Sequence, residues 1–309
     1  MFPAEVGCRL DQVRAFLPTP GGAPANVAVA AVRLGYRSAF IGKVGSEMFG
    51  EMLVNVLKEN GVETRGVLRD PQVRTTLAFI GMPDANTYEV IFYRNPGADH
   101  CLREDELDRT LLENARALHG GSLSLTHEPA RTAHYAAVEI ARAAGALISF
   151  DVNYRPALWS DLQEARQVIM EMLSRVDVLK VNETELELLT GSRDVERAVP
   201  TLLKDGPQLI AVTLGQYGSY FCTAQAVEFV PPFRVPTVDA VGCGDAFVAG
   251  LICQLVKEDD WRSRLSVDNL RRVFRYANAV GAVTALARGV IPALPTAERV
   301  ERFLQENGG

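Results

Sequence analysis

The most definite chemistry in the sequence is a carboxylate among glycines at the start of an apolar helix: Asp239-Ala240-Val241-Gly242-Cys243-Gly244-Asp245-Ala246-Phe247. Gly242 and Gly244 flank one small residue, Cys243, so backbone N–H groups can converge at the helix N-terminus. There they form a cradle for an anion, reinforced by the positive end of the helix dipole. Asp245 falls in the first helical turn beside the cradle, placed to take a proton from an alcohol. The dipole predicts that Asp245 stays ionised and is a weak base. That suffices if the alcohol loses its proton late, as a loose phosphoryl-transfer transition state permits. The same residues also suit a first-turn carboxylate that only steadies its helix, by ~0.3–1 kcal/mol.

Other loops carry weaker signals. Asn182-Glu183-Thr184-Glu185 fits a capping box, with Asn182 as N-cap and Glu185 three positions on. A carboxylate presented there also suits a hydrated Mg²⁺ on a nucleotide. Thr213-Leu214-Gly215-Gln216-Tyr217-Gly218-Ser219 reads as a hairpin turn, or as hydroxyl and backbone contacts to phosphates. Gly21-Gly22-Ala23-Pro24-Ala25-Asn26 opens a helix without a side-chain cap, and the Asn26 amide can bond the backbone or face a polyol. Arg94 and Arg155 each follow a predicted strand beside a ligand loop. There is no GxxxxGK[ST], GxGxxG, HExxH or GxSxG pattern, so nucleotide phosphates would be handled without a P-loop lysine. His100, His119, His127 and His134 show no metal spacing. Nor do Cys8, Cys101, Cys222, Cys243 and Cys253, whose odd number and spacing speak against a disulfide framework and for a reducing cytoplasm.

These loops need a scaffold. Helix 104–114, strand 116–124, helix 130–144, strand 146–151, helix 161–174, strand 176–181, a helix from Glu183 and strand 208–213 alternate. Continuous apolar runs such as Ala146-Leu147-Ile148-Ser149-Phe150 predict a parallel sheet covered on both faces. Ligands then sit beyond the carboxyl ends of the strands, after 124, 151, 181, 213 and 238. Earlier, helices at 25–34 and 49–60 flank a β-like run at 38–44. Strands at 75–81 and 88–93, joined by Pro83-Asp84-Ala85-Asn86, break the alternation and read as a separate β flap. Helices at 245–257, 267–287 and 296–306 end the chain.

The composition narrows the class. In 309 residues, 48% hydrophobic and 23% charged, disorder is excluded. The balance of 32 Lys+Arg against 38 Asp+Glu, net −6, disfavours a nucleic-acid binder. No apolar run reaches the roughly 18 residues of a membrane span; the longest, Val238–Leu255, is broken by Asp239 and Asp245. Residues 1–20 lack a secretory pattern.

Taken in order, the motifs resemble the ribokinase-like (PfkB) sugar kinases. Gly21-Gly22 with Asn26, and Asp239…Gly242-x-Gly244-Asp245, resemble the two family signatures. Gly42-Lys43-Val44-Gly45…Phe49-Gly50, Asn182-x-x-Glu185, Thr213-Leu214-Gly215…Gly218 and Asn278…Arg288-Gly289 follow in family order over about residues 20–305. Gly21–Ala28 and Phe92–Asp99 look most like the fructokinase subgroup. The resemblance implies a three-layer αβα fold, its central sheet mostly parallel. A large domain of residues 21–72 and 98–309 would bind the nucleotide, and a β-sheet lid of 8–20 and 73–97 would close over the sugar. It implies transfer of the ATP γ-phosphoryl group to a sugar hydroxyl, with Asp245 as base and the Gly242–Gly244 amides as anion hole. Gly21, Gly22 and Asn26 match sugar contacts, and Arg94 and Arg155 join them as candidates. Asn182, Thr213, Gly215 and Gly218 match nucleotide contacts, Asn278 borders the adenine pocket, and Glu185 meets Mg²⁺ through water. Many relatives also hold a monovalent cation such as K⁺ near Asp239, Val241 and the 285–291 loop.

The expected activity is phosphorylation of fructose to fructose 6-phosphate. The alternatives are a 2-keto-3-deoxygluconate kinase, whose acid Arg94 and Arg155 could meet, and a catalytically weak binding protein. Three departures stand out. The usual Asp-Thr-Thr-Gly-Ala-Gly-Asp is here Asp-Ala-Val-Gly-Cys-Gly-Asp, losing two hydroxyls and placing the Cys243 thiol beside the anion site, open to oxidation or alkylation. Relatives also carry an earlier central strand ending in a sugar-binding Asp. Here the chain starts within the lid region, and Asp11 is too close to Gly21 to serve, so the sheet is expected to be incomplete there. Exposed lid edges invite a homodimer.

Overall fold

The computed structural model describes residues 1–5, 7–83 and 89–307. Its strands are β1 (Phe2–Pro3), β2 (Phe16–Leu17), β3 (Gly42–Gly45), β4 (Val67–Asp70), β5 (Leu77–Gly81) and β6 (Glu89–Tyr93). They continue with β7 (Ala117–Gly121), β8 (Leu147–Asp151), β9 (Val178–Asn182), β10 (Leu209–Thr213), β11 (Ser219–Cys222) and β12 (Val227–Val230). The helices that matter here are α1 (Ala23–Arg33), α2 (Met48–Glu59), α3 (Arg109–Glu113), α4 (Ala130–Ala143), α5 (Leu162–Leu173), α6 (Glu183–Thr190), α7 (Val195–Leu203), α8 (Cys243–Leu255) and α9 (Val267–Thr284).

Alternation of apolar residues along each buried strand feeds two cores. Leu147, Val178 and Ala211 face α1, α8 and α9, while Ile148, Leu179 and Ile210 face the side of α4, α5, α6 and α7. The sheet between them runs β12-β11-β10-β9-β8-β7. β7 to β10 are parallel, and β11 and β12 add an antiparallel edge. This is the α/β, three-layer αβα arrangement with a mostly parallel sheet. The β3–β4 pair is parallel and hydrogen-bonded to no strand of this sheet among the described residues.

Some expectations shift. The helix expected over 104–114 is a 3₁₀ turn at Glu104–Glu106 followed by the five-residue α3, because Asp108 caps a new start by accepting from Leu111 N–H. The strand expected over 116–124 stops at Gly121, and Ser122–Leu125 forms a 3₁₀ turn. The flap strands exist as the antiparallel pair β5–β6; residues 84–86 of the joining turn and Tyr88 lie outside the described residues. β1 and β2 pair beside them, Met1 donating to the Ala78 carbonyl (2.9 Å) and Ile80 N–H to the Met1 carbonyl (3.1 Å). The small β unit therefore also takes in Met1–Pro3. Phe16, Phe79 and Tyr93 stack edge to face across it. No helix among the described residues is long and apolar enough to cross a membrane.

Candidate active site

Asp245 lies in the first turn of α8, half-buried, where α8 meets α1. Gly242, the N-cap, has φ 80°, and a Cβ there would fall 2.2 Å from Val290 Cγ1, so only glycine fits. Asp239 fixes the approach: Oδ1 accepts from Val241 N–H (3.0 Å) and Oδ2 from Gly289 N–H (3.1 Å). Val238 N–H donates to the Ala285 carbonyl (2.8 Å), so the 238–242 and 285–289 segments are laced together. Among the described residues the N–H groups of Gly242 and Gly244 have no protein acceptor, whereas Cys243 N–H turns back to the Ala240 carbonyl (3.3 Å). The cradle is thus built from the two glycine amides.

Asn26, in the first turn of α1, is buried, and its Nδ2 donates to Asp245 Oδ2 at 2.7 Å. Its Oδ1 is buried without a partner, which leaves an acceptor at the carboxylate for a ligand hydroxyl. Gly22, the uncapped start of α1, has φ 121°, and a Cβ at Gly21 would meet nothing within 4 Å, so backbone is open here. Two motifs far apart in sequence therefore meet at one hydrogen bond.

The electrostatics correct one expectation. Burial pushes the Asp245 carboxyl up to about 6, against the Asn26 hydrogen bond and the charges of Lys180 and Arg155, with Asp151 adding to the rise. Desolvation outweighs the dipole, and Asp245 is a stronger base than the helix terminus alone predicts. Burial also pushes the Cys243 thiol up to about 12, with its Sγ 3.8 Å from the Asp239 carbonyl. The raised value disfavours the thiolate and so slows any alkylation at this position.

Strand register carries the site along the sheet. Asp151 and Lys180 are direct neighbours on β8 and β9, and Asn182 faces Thr213 across β9 and β10. Asn182 and Glu185 form the capping box, at 2.8 Å in each direction, and Glu185 also accepts from Tyr154 N–H (2.9 Å). Burial pushes the Glu185 carboxyl up, opposed by Lys180. Each Glu185 oxygen accepts one backbone N–H, so remaining lone pairs suit a metal-bound water better than the ion itself. Thr213 Oγ1 donates to the Val181 carbonyl (3.4 Å). Gly215 (φ 58°) lies in open space, and Gly218 (φ 105°) passes so close to Val230 that a Cβ would sit 2.5 Å from its carbonyl oxygen. Asn278 Oδ1 accepts from Ser219 Oγ (3.0 Å) and its Nδ2 donates to the Val230 and Pro231 carbonyls (3.3 and 3.2 Å). It ties the start of β11 to the end of β12 with both ends of its amide.

The arginines divide. Arg155 is exposed, donates to its neighbour's carbonyl, that of Tyr154 (3.0 Å), and lowers the Asp245 carboxyl through its charge. Arg94 is buried at the root of β6, paired with Asp99 and donating to Thr126 Oγ1 (3.2 Å) and the Leu123 carbonyl (3.1 Å). It ties the flap to the 3₁₀ turn after β7 rather than standing free for a ligand. Sequence reasoning missed Asp151 and Lys180, which are buried and paired at 3.1 Å. Their signal was present: one charged residue in each of two neighbouring, mostly apolar strands, Asp151 at the end of β8 and Lys180 midway along β9.

Comparison with known proteins places the whole chain in one family. The pfkB family carbohydrate kinase profile matches residues 4–297. Probable fructokinase-2 of Arabidopsis thaliana is 44% identical over 304 residues, 98% of this chain and 92% of that protein. The ATP-bound fructokinase of Xylella fastidiosa superposes with TM-score 0.89 at 33% identity, covering 96% of this chain and 93% of that one. A Vibrio cholerae O395 fructokinase, solved with fructose, ADP and calcium, gives TM-score 0.86 at 32% identity, covering 94% and 93%. With the Asn26–Asp245 bond, the glycine-amide cradle and these matches together, the chain belongs to the pfkB family of carbohydrate kinases.

Proposed function

We propose that this chain transfers the γ-phosphoryl group of ATP to fructose, forming fructose 6-phosphate. The observation that carries the reading is the Asp245 carboxylate, pushed up to about 6 by burial, beside two unpaired glycine amides and held by Asn26 at 2.7 Å. A base with a pKa near the working pH is mostly ionised yet strong enough to take a hydroxyl proton as the bond to phosphorus forms. The Gly242 and Gly244 amides and the α8 dipole face the charge that gathers on the transferring group. The Asn26 Oδ1 acceptor orients a second hydroxyl, and the flap keeps water from competing as acceptor. Gly21 and Gly22 let the sugar approach the backbone, and Thr213, Gly215 and Gly218 do the same for the nucleotide, beside Asn278. Mg²⁺, held through water near Glu185 and Asn182, would neutralise the β- and γ-phosphates. A monovalent cation would be held by carbonyls near Asp239, Val241 and the 285–291 loop.

Arg94, spent on Asp99, argues for a neutral sugar over 2-keto-3-deoxygluconate. Exposed Leu17, Ile91 and Tyr93 on the flap support a homodimer through it, and five free cysteines suit a cytoplasmic setting. Coupled ADP release over fructose, ribose, glucose, adenosine and 2-keto-3-deoxygluconate tests the reading: fructose should give the highest kcat/KM. A preference for the keto-acid, or no sugar-dependent ADP, refutes it.

A further inference from the structure

We propose that Lys180 is a further catalytic residue, whose ammonium contacts the transferring phosphoryl group from beneath the glycine cradle. Nothing in the sequence supplies a P-loop lysine, yet γ-phosphoryl transfer gathers negative charge that amides alone meet only in part. Lys180 sits midway along β9, 7% exposed, on the sheet face that looks toward α8. Its Nζ lies 3.1 and 3.2 Å from the two oxygens of Asp151, its in-register neighbour on β8. Among the described residues it donates to no other group, and an ammonium has three N–H donors.

The free direction points at the cradle. On the side of Gly244 where a side chain would project, Nζ is the one heavy atom within 4 Å outside Gly244's own neighbours and helix backbone, at 3.7 Å. The ammonium therefore lies against Gly244, whose amide is one of the two that form the cradle. A fold gains little from such a pair, since burying two charges costs solvation that well-packed apolar residues would not lose. The α8-facing side of these strands begins apolar, with Leu147 and Val178, and turns polar toward the carboxyl ends, where Ser149, bonded to His119, precedes the Asp151–Lys180 pair. Lys180 is the one charged residue of β9, and its ammonium lies beside Gly244 of the anion site.

The inference rests on the kinase reading above. In the step, Asp245 accepts the sugar hydroxyl proton and the hydroxyl oxygen bonds to the γ-phosphorus. The bond from that phosphorus to the β,γ-bridging oxygen breaks, and its electron pair leaves on ADP. Lys180 gives up no proton; its charge follows the phosphoryl oxygens across.

Lys180→Met and the double variant Lys180→Met/Asp151→Asn separate this role from mere neutralisation of Asp151. The double variant removes both charges and should unfold at least as late as the wild type in urea. Both should lose about 10²–10³-fold in kcat for fructose, in the range seen when one preorganised charge partner of the transition state is removed, with the KM for fructose within about threefold. Recovery of kcat in the double variant to within threefold of wild type would overturn the proposal and leave a structural ion pair. A single variant with unchanged kcat would overturn it as well. Should the wild type not turn over fructose, calorimetry with a β,γ-imido ATP analogue and with ADP decides instead. Contact with the terminal phosphate predicts at least tenfold weaker binding of the analogue by the double variant, with ADP binding unchanged; equal losses for both nucleotides overturn it.

Discussion

Replacing Asp245 by Asn should move activity and stability in opposite directions. In the fold, burial raises this carboxyl from its ordinary 3.8 to about 6, so the anion is held at a cost of about 3 kcal/mol at neutral pH. The side chain is only half-buried, and screening by water lowers the expected gain to about 1–3 kcal/mol. The sign follows from proton uptake. The folded state binds this proton more tightly than the unfolded chain, so wild-type stability falls as pH rises from about 4 to about 6, then stays low. An amide escapes that loss, and its Oδ1 can accept the Asn26 hydrogen bond that the carboxylate now takes. The gain in urea unfolding should be full at pH 7 and vanish near pH 4. Meanwhile ADP release with fructose should fall about 10²–10⁴-fold, the usual worth of a general base. A helix-steadying carboxylate predicts the reverse: a small loss of stability and an active enzyme. Activity within threefold of wild type, or destabilisation at pH 7, refutes the reasoning.

Three further perturbations probe the supports. Gly242→Ala forces a side chain into φ 80° and against Val290, and should cost about 1–3 kcal/mol in urea unfolding together with most of kcat. Asn26→Ala removes the hydrogen bond that lowers the Asp245 carboxyl, so the acid limb of kcat/KM should move to higher pH, as read from a rate profile. Arg94→Met leaves Asp99 without its partner and should destabilise by about 3 kcal/mol in thermal or urea unfolding while the preference for fructose over the keto-acid persists.

How much of this was legible in sequence differs between parts. The parallel sheet was, because β8, β9 and β10 are mostly apolar on both faces, the pattern of strands covered on both sides. The glycine-flanked Asp245 was legible because helix starts obey local rules, and so was the Asn182–Glu185 box. The strength of Asp245 as a base was not: its desolvation comes from packing against α1, more than 200 residues away in sequence, which no local rule encodes. Arg94 was misjudged for the same reason, since Asp99 and Thr126 claim it only once the flap folds onto the 3₁₀ turn. Lys180 and Asp151 passed unnoticed because each reads as one exception in an apolar strand, and only register makes them a pair.

The pH dependence of kcat/KM for fructose, in wild type and Asp245→Asn side by side, bears most directly on the claim that this carboxylate takes the hydroxyl proton. The wild-type profile should fall with unit slope below about pH 6, and the variant's small residual rate should lack that limb. A wild-type profile flat between pH 5 and 8, or the same limb in both proteins, would contradict it.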